Sequence, residues 1–278
     1  MTTYVLVPGA WHGPTAWDRV VPLLERAGAR AVTIDLAATP ATGLDEHVQQ
    51  VITALDALEP STFAAPTCDA ATPESPAHTP HTSVSTSRTV ARASRTVFPT
   101  PGPSAPEPGR VILVGHSYAG LVVRQAADRR PERVEHLILI DAWVGPDGSG
   151  LFTLTPEAFA ERIRAAADES GLIPAPAPAL YGVTEPDDVA WLQPRLRPHP
   201  LRTFTDTTTL TGAVDRVPGT ALYCRPQSLP FDRLAEELGY RTMPVDAPHD
   251  VMVTDPETVA RYLLDIPQVQ NREAPELQ

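Results

Sequence analysis

Val111-Ile112-Leu113-Val114-Gly115-His116-Ser117-Tyr118-Ala119-Gly120 is the stretch that decides the fold. Four apolar residues read as a buried strand, and Leu121-Val122-Val123 opens a helix. The glycine-flanked turn between them bends so tightly that the serine hydroxyl is left exposed above a sheet, where an imidazole can reach it. Side chains at 115 and 120 are expected to collide across this bend, which explains the glycines. Ser117 is therefore the expected nucleophile. A serine hydroxyl attacks poorly at neutral pH until a neighbour takes its proton, so the rest of the chain must supply a base and a group that orients it.

Outward from the turn, strand and helix signals alternate. Tyr4-Val5-Leu6-Val7 and Ala31-Val32-Thr33-Ile34 read as strands, with helices expected over Trp17 to Ala27 and Leu44 to Leu58. After the bend come a helix to about Arg129, a strand Leu137-Ile138-Leu139-Ile140, a strand from Thr220 to Cys224 and a helix from Phe231 to Leu238. A strand from Tyr240 to Val245 and a helix from Pro256 to Leu264 close the pattern. This is an α/β arrangement, a mostly parallel sheet with helices on both faces. The core is expected over 1–60, 110–144 and 218–266. Residues 61–109 are rich in Pro, Ser, Thr and Ala and have few large apolar side chains, so they read as a disordered insertion. Residues 145–217, with helical pieces around Pro156 to Ala167 and Glu185 to Leu192, read as a helical cap, and 267–278 as a flexible tail.

The chain has 278 residues, 42% of them hydrophobic, enough for one domain with a sizeable core. A net charge of −12 and 22 unclustered basic residues argue against a nucleic-acid partner. No apolar run reaches membrane-spanning length, and the first strand begins without a basic leader. Cys68 and Cys224 fit neither a metal nor a disulfide spacing, and the expected compartment is the cytoplasm. No cofactor or metal is implied. Composition does not give the oligomeric state.

Two further loops carry chemistry. Pro8-Gly9-Ala10-Trp11-His12-Gly13 follows the first strand, and His249 lies between the last strand and the last helix. With Val5-Leu6-Val7 before the first loop, Trp17 after it and Gly-His-Ser-Tyr-Ala-Gly at the bend, the chain resembles the α/β-hydrolase superfamily. The closer likeness is to the branch of plant methylesterases and hydroxynitrile lyases and their bacterial relatives, over residues 1–60 and 110–265. The resemblance implies an α/β-hydrolase fold with a helical cap and the chain order serine, acid, histidine, which makes His249 the base. It also implies oxyanion donors at the N–H groups of Ala10 and Tyr118. His12 and His116 are expected to be structural, and His47, His136 and His199 to lie at the surface or in the cap.

The branch normally places its acid just beyond the position of Cys224, yet Arg225-Pro226-Gln227-Ser228-Leu229-Pro230 contains no carboxylate. Asp141, at the end of the neighbouring strand, matches the acid position of some other hydrolases of the superfamily and is the leading candidate, followed by Asp232 and Asp246. Hydroxynitrile lyases of the branch carry a lysine after the base. Here that residue is Asp250, expected to repel an anion such as cyanide. Trp11, Tyr118, Trp143, Phe152 and Trp191 are candidates for an apolar substrate pocket. The expected activity is hydrolysis of an ester or thioester of a small hydrophobic molecule. A lyase or cyclase using the same Ser-His pair, and a ligand-binding homologue with a decayed site, are the alternatives.

Overall fold

Apolar residues alternate between the two faces of each central strand, and each face meets its own helical layer. The computed structural model describes residues 1–58, 109–227 and 229–273. The strands are β1 (Thr3–Val7), β2 (Arg30–Thr33), β3 (Val111–His116), β4 (Val134–Ile140), β5 (Leu172–Ile173), β6 (His199–Pro200), β7 (Gly219–Cys224) and β8 (Arg241–Val245). Six of them form one sheet in the order β2-β1-β3-β4-β7-β8, with every neighbouring pair parallel. Among the described residues, strands β5 and β6 pair only with each other, antiparallel.

The helices are α1 (Val21–Arg26), α2 (Leu44–Ala57), α3 (Ala119–Arg129), α4 (Leu151–Leu154), α5 (Glu157–Ala166), α6 (Pro186–Leu192), α7 (Arg202–Thr205), α8 (Phe231–Glu237), α9 (Val251–Thr254) and α10 (Pro256–Glu273). Val5, Val7, Leu113, Leu137 and Leu139 pack with α2, α3 and α8. Tyr4, Leu6, Ile112, Val114, Ile138 and Ile140 pack with α1 and α10 on the other face. Burial on both faces is why β3 and β4 read as unbroken apolar runs. Each such side chain removed from water contributes about 1.5–3 kcal/mol. The stretch 145–217 leaves the sheet after β4, carries α4 to α7 with β5 and β6, and returns at β7.

Several expectations change. The helix expected from Trp17 to Ala27 divides into a 3-10 turn over Pro14–Trp17 and α1, which restarts with Pro22 in its first turn. There the missing proline N–H leaves no helical bond unmade. Helix α10 runs on through residues expected to form a tail. Residues 61–108, most of the expected insertion, and 274–278 lie outside the described residues. His47 and His136 are buried rather than at the surface, and His199, within the stretch expected as the cap, is buried too. Each has a polar partner: Tyr118 Oη and the Ala37 carbonyl for His47, Thr220 Oγ1 for His136, and Thr203 Oγ1 for His199. Burial pushes His136 down to about 4 and holds His199 well below the usual imidazole range. Among the described residues, no helix is long and apolar enough to cross a membrane.

Candidate active site

Sheet register brings the chemistry to one edge. Val7 pairs with Gly115, His116 with Ile140, and Ile140 with Leu222, so the loops after β1, β3, β4 and β7 leave at the same level. The ladder continues past the strand ends, where Ser117 N–H donates to the Ile140 carbonyl (3.1 Å) and Asp141 N–H to that of Leu222 (2.7 Å). Both residues then turn up through left-handed backbone, with φ of 53° at Ser117 and 44° at Asp141. Such conformations cost about 1–3 kcal/mol outside glycine and persist only where neighbours hold them. One hold is Trp143 N–H donating to the Ser117 carbonyl at 3.0 Å. The bend needs its glycines, although not because they would meet each other. A Cβ at 115 would strike Val123 and Ala119 of α3, and one at 120 the Trp143 carbonyl.

Ser117, His249 and Asp141 form a continuous relay. His249 Nε2 lies 3.0 Å from Ser117 Oγ, and His249 Nδ1 lies 2.6 Å from Asp141 Oδ2. A carboxylate only accepts, so Nδ1 carries the proton and Nε2 is left to accept from the serine hydroxyl. The other carboxylate oxygen, Oδ1, accepts the N–H of Cys224 at 2.8 Å. Asp141 is thus fixed from both sides, and its side chain is 7% exposed against 22% for that of His249. The other two acid candidates are elsewhere. Asp232 binds Gln227 Nε2 and the Arg233 N–H, while Asp246 pairs with Arg225 in solvent. The His249 ring is stacked with Phe231 and with Tyr181, at centroid distances of 5.8 and 6.5 Å.

Across the site, the loop after β1 presses against the serine. A Cβ on Gly9 would come within 2.8 Å of His116 Nδ1 and 2.9 Å of Ser117 Cβ, so glycine alone permits this approach. Among the described residues, no hydrogen-bond acceptor occupies the N–H of Ala10 or Tyr118. Trp11 is left-handed at φ 65°. It is tied by its N–H to His199 Nδ1 (3.4 Å), by its indole N–H to the Ile173 carbonyl (3.1 Å), and by its own carbonyl to Arg197 N–H (2.9 Å).

Of the proposed pocket residues, Trp11 and Phe152 both contact Phe204, and Trp143 meets Phe231 edge-on at 4.9 Å. Tyr118 is fully buried, with its ring against Phe204 and His199, and Trp143 is 4% exposed. Trp191 joins none of these ring contacts. The guanidinium groups of Arg19 and Arg195 lie over its ring. Sequence reasoning missed Phe204, Phe231, Tyr181 and His199. The only signal for Phe231 was its place just after the β7 loop, and the other three lie in the irregular stretch between β4 and β7.

Behind the relay is a second polar group. His12 Nε2 is 2.9 Å from Asp250 Oδ2, and His12 Nδ1 is 2.8 Å from the Ala10 carbonyl. Asp250 is fully buried, so it does not face an incoming anion as expected from its position beside the base. His116 Nε2 donates to the His249 carbonyl at 3.1 Å. Burial and the neighbouring His249 push His116 down to about 3, leaving it neutral. Among the described residues, His116, His249 and Asp250 offer metal-ligand atoms within 4.8 Å of one another. However, both His249 nitrogens, His116 Nε2 and Asp250 Oδ2 are already engaged in hydrogen bonds.

Residues 4–262 match the model of the alpha/beta hydrolase family. The chain is similar to a carbendazim hydrolyzing esterase from Nocardioides sp. (strain SG-4G), with 26% identity covering 95% of this chain and 98% of that protein. It is 31% identical to methylesterase 1 of Arabidopsis thaliana over 52% of this chain, which spans only 40% of that relative. Among solved structures it resembles an extracellular α/β-hydrolase from a Paenibacillus species, with a TM-score of 0.70 and 16% identity over 95% of this chain and 98% of that one.

Proposed function

The chain belongs to the alpha/beta hydrolase family, and on that premise we propose that it is a serine esterase acting on a small, hydrophobic ester through an acyl-serine intermediate. Ser117 Oγ attacks the ester carbonyl as His249 Nε2 takes its proton. Asp141 holds Nδ1–H in place and stabilises the imidazolium that forms. The developing oxyanion is received by the N–H groups of Ala10 and Tyr118, which hold no other acceptor among the described residues. His249 then returns the proton to the leaving alcohol and activates the water that releases the acid, restoring Ser117.

The relay of 2.6 and 3.0 Å through His249 carries this reading. The names of the carbendazim esterase and of the methylesterase support the ester as the bond cleaved. The ring contacts of Trp11 and Phe152 with Phe204, and of Trp143 with Phe231, favour an apolar or ring-bearing substrate. The cytoplasm is the proposed place of action, on the strength of only two cysteines without disulfide spacing.

Hydrolysis of p-nitrophenyl butyrate tests the proposal. The wild-type chain should turn it over, with Ser117→Ala and His249→Ala each lowering kcat by about 10⁴-fold or more. Turnover that survives Ser117→Ala would point to proton-transfer chemistry without an acyl-enzyme.

A further inference from the structure

His12 and Asp250 lie 238 positions apart in sequence, yet their side chains meet with only 2% and 0% exposure. Both ring nitrogens of His12 face oxygens that can only accept, a carboxylate on one side and the Ala10 carbonyl on the other. Two such bonds require two N–H groups, so His12 is an imidazolium matched by the Asp250 carboxylate. One end of this pair holds Ala10, whose N–H is an oxyanion donor in the function proposed above. The other end is the residue next to His249. Trp11 in between is left-handed and is held by His199, Ile173 and Arg197, and the His12–Asp250 contact adds the tie that leads from this loop to the one carrying His249.

We propose that the His12–Asp250 pair is a positioning couple that locks the 9–12 oxyanion loop to the loop carrying His249, setting the spacing between oxyanion donors and base. Neither residue touches the substrate, and the inference rests on the Ser117–His249–Asp141 reading. The groups that face the couple are consistent with it. His116, 3.8 Å from Asp250 Oδ1, is neutral and donates to the His249 carbonyl. The Tyr181 ring lies 5.2 Å from His12, and burial keeps its phenol protonated. Arg197 and burial both work against the His12 charge. The attraction and hydrogen bond of Asp250, with the Ala10 carbonyl, outweigh them and raise His12 above the usual imidazole value.

The test measures kcat and KM for p-nitrophenyl butyrate from pH 5 to 9.5 on the full chain. It compares wild type, Ser117→Ala, Asp250→Asn, His12→Gln and the two double variants His12→Gln/Asp250→Asn and His12→Met/Asp250→Leu. Each single change at the couple should lower kcat about 100-fold, the scale of a small misplacement of reacting groups, with KM within about threefold. The polar double variant should be no worse than the worse single, because the two residues act as one unit. Wild-type kcat should decline on the alkaline side as His12 loses its proton, and Asp250→Asn should lack that decline.

The apolar double variant separates positioning from stability. Removing both charges avoids the unpaired buried ion that each single change leaves, so this variant should melt above both single variants while kcat stays about 100-fold down. Recovery of wild-type kcat in it would overturn the proposal, as would a folded Asp250→Asn with unchanged kcat and pH profile. Those results, alongside turnover that still depends on Ser117, count against the couple alone. Wild-type turnover indifferent to Ser117→Ala would instead overturn the esterase reading.

Discussion

Replacing Asp141 by Asn changes one atom and should nearly abolish turnover. Oδ1 of Asp141 accepts the Cys224 N–H at 2.8 Å while Oδ2 faces His249 Nδ1 at 2.6 Å. An asparagine keeps the Cys224 bond only if its carbonyl oxygen stays on that side, which turns its NH₂ toward His249. Nδ1 must then accept, so the ring proton moves to Nε2 and points at Ser117 Oγ. A base already protonated on that nitrogen cannot take the serine proton. The expected loss is about 10⁴-fold in kcat, or about 5.4 kcal/mol of transition-state stabilisation, for a wrong-tautomer histidine. Steady-state hydrolysis of p-nitrophenyl butyrate, with circular dichroism as a check on folding, measures it. A folded Asp141→Asn enzyme within tenfold of wild type would refute the tautomer argument and remove Asp141 as the acid.

The rejected candidates supply controls. Asp232→Asn and Asp246→Asn should each leave kcat/KM within about twofold, because their partners are Gln227, Arg233 and Arg225 rather than His249. Stability should move by less than about 0.5 kcal/mol for either, as is usual at the surface, and thermal melts would show it. Gly9→Ala places a methyl within 2.8 Å of His116 Nδ1 and 2.9 Å of Ser117 Cβ. Overpacking of that kind costs about 1–3 kcal/mol, read as a lower urea midpoint together with reduced turnover; an unchanged midpoint would show that the loop has room. Stability should also depend on pH through the buried couple. His12, raised above 6.5 in the fold, contributes fully below 6.5 and loses that contribution as pH climbs through its folded value. Asp250, lowered below 3.8, contributes above 3.8 and loses its share only as pH falls through its folded value. Urea unfolding from pH 6 to 9 should therefore show wild type losing stability relative to Asp250→Asn; parallel curves would contradict the paired charges.

The parts legible in the sequence are those that local rules determine. The Ser117 bend is written in ten consecutive residues, and the strands around it are unbroken apolar runs because the sheet is covered on both faces. His249 follows from its place after the last strand. Asp141 was reachable because the usual position beyond β7 lacks a carboxylate and β4 lies beside β7 in the sheet. What could not be read depends on long-range meetings between irregular segments. The pairing of His12 with Asp250 joins two single polar residues in loops, without period or spacing to announce it. The burial of His47, His136 and His199, expected at the surface or in the cap, was not legible because a histidine gives no local sign of a buried partner such as Thr220 or Thr203. Trp191 looked like a pocket residue by its type, while its environment is set by Arg19, far away in the chain.

The central claim, that Ser117 is a nucleophile activated by His249, is tested most directly by an active-site-directed fluorophosphonate followed by peptide mass spectrometry. One equivalent of label on Ser117, formed quickly in wild type and absent from His249→Ala, is the predicted result. Label on another residue, or equal labelling of Ser117 with and without the imidazole, would contradict it.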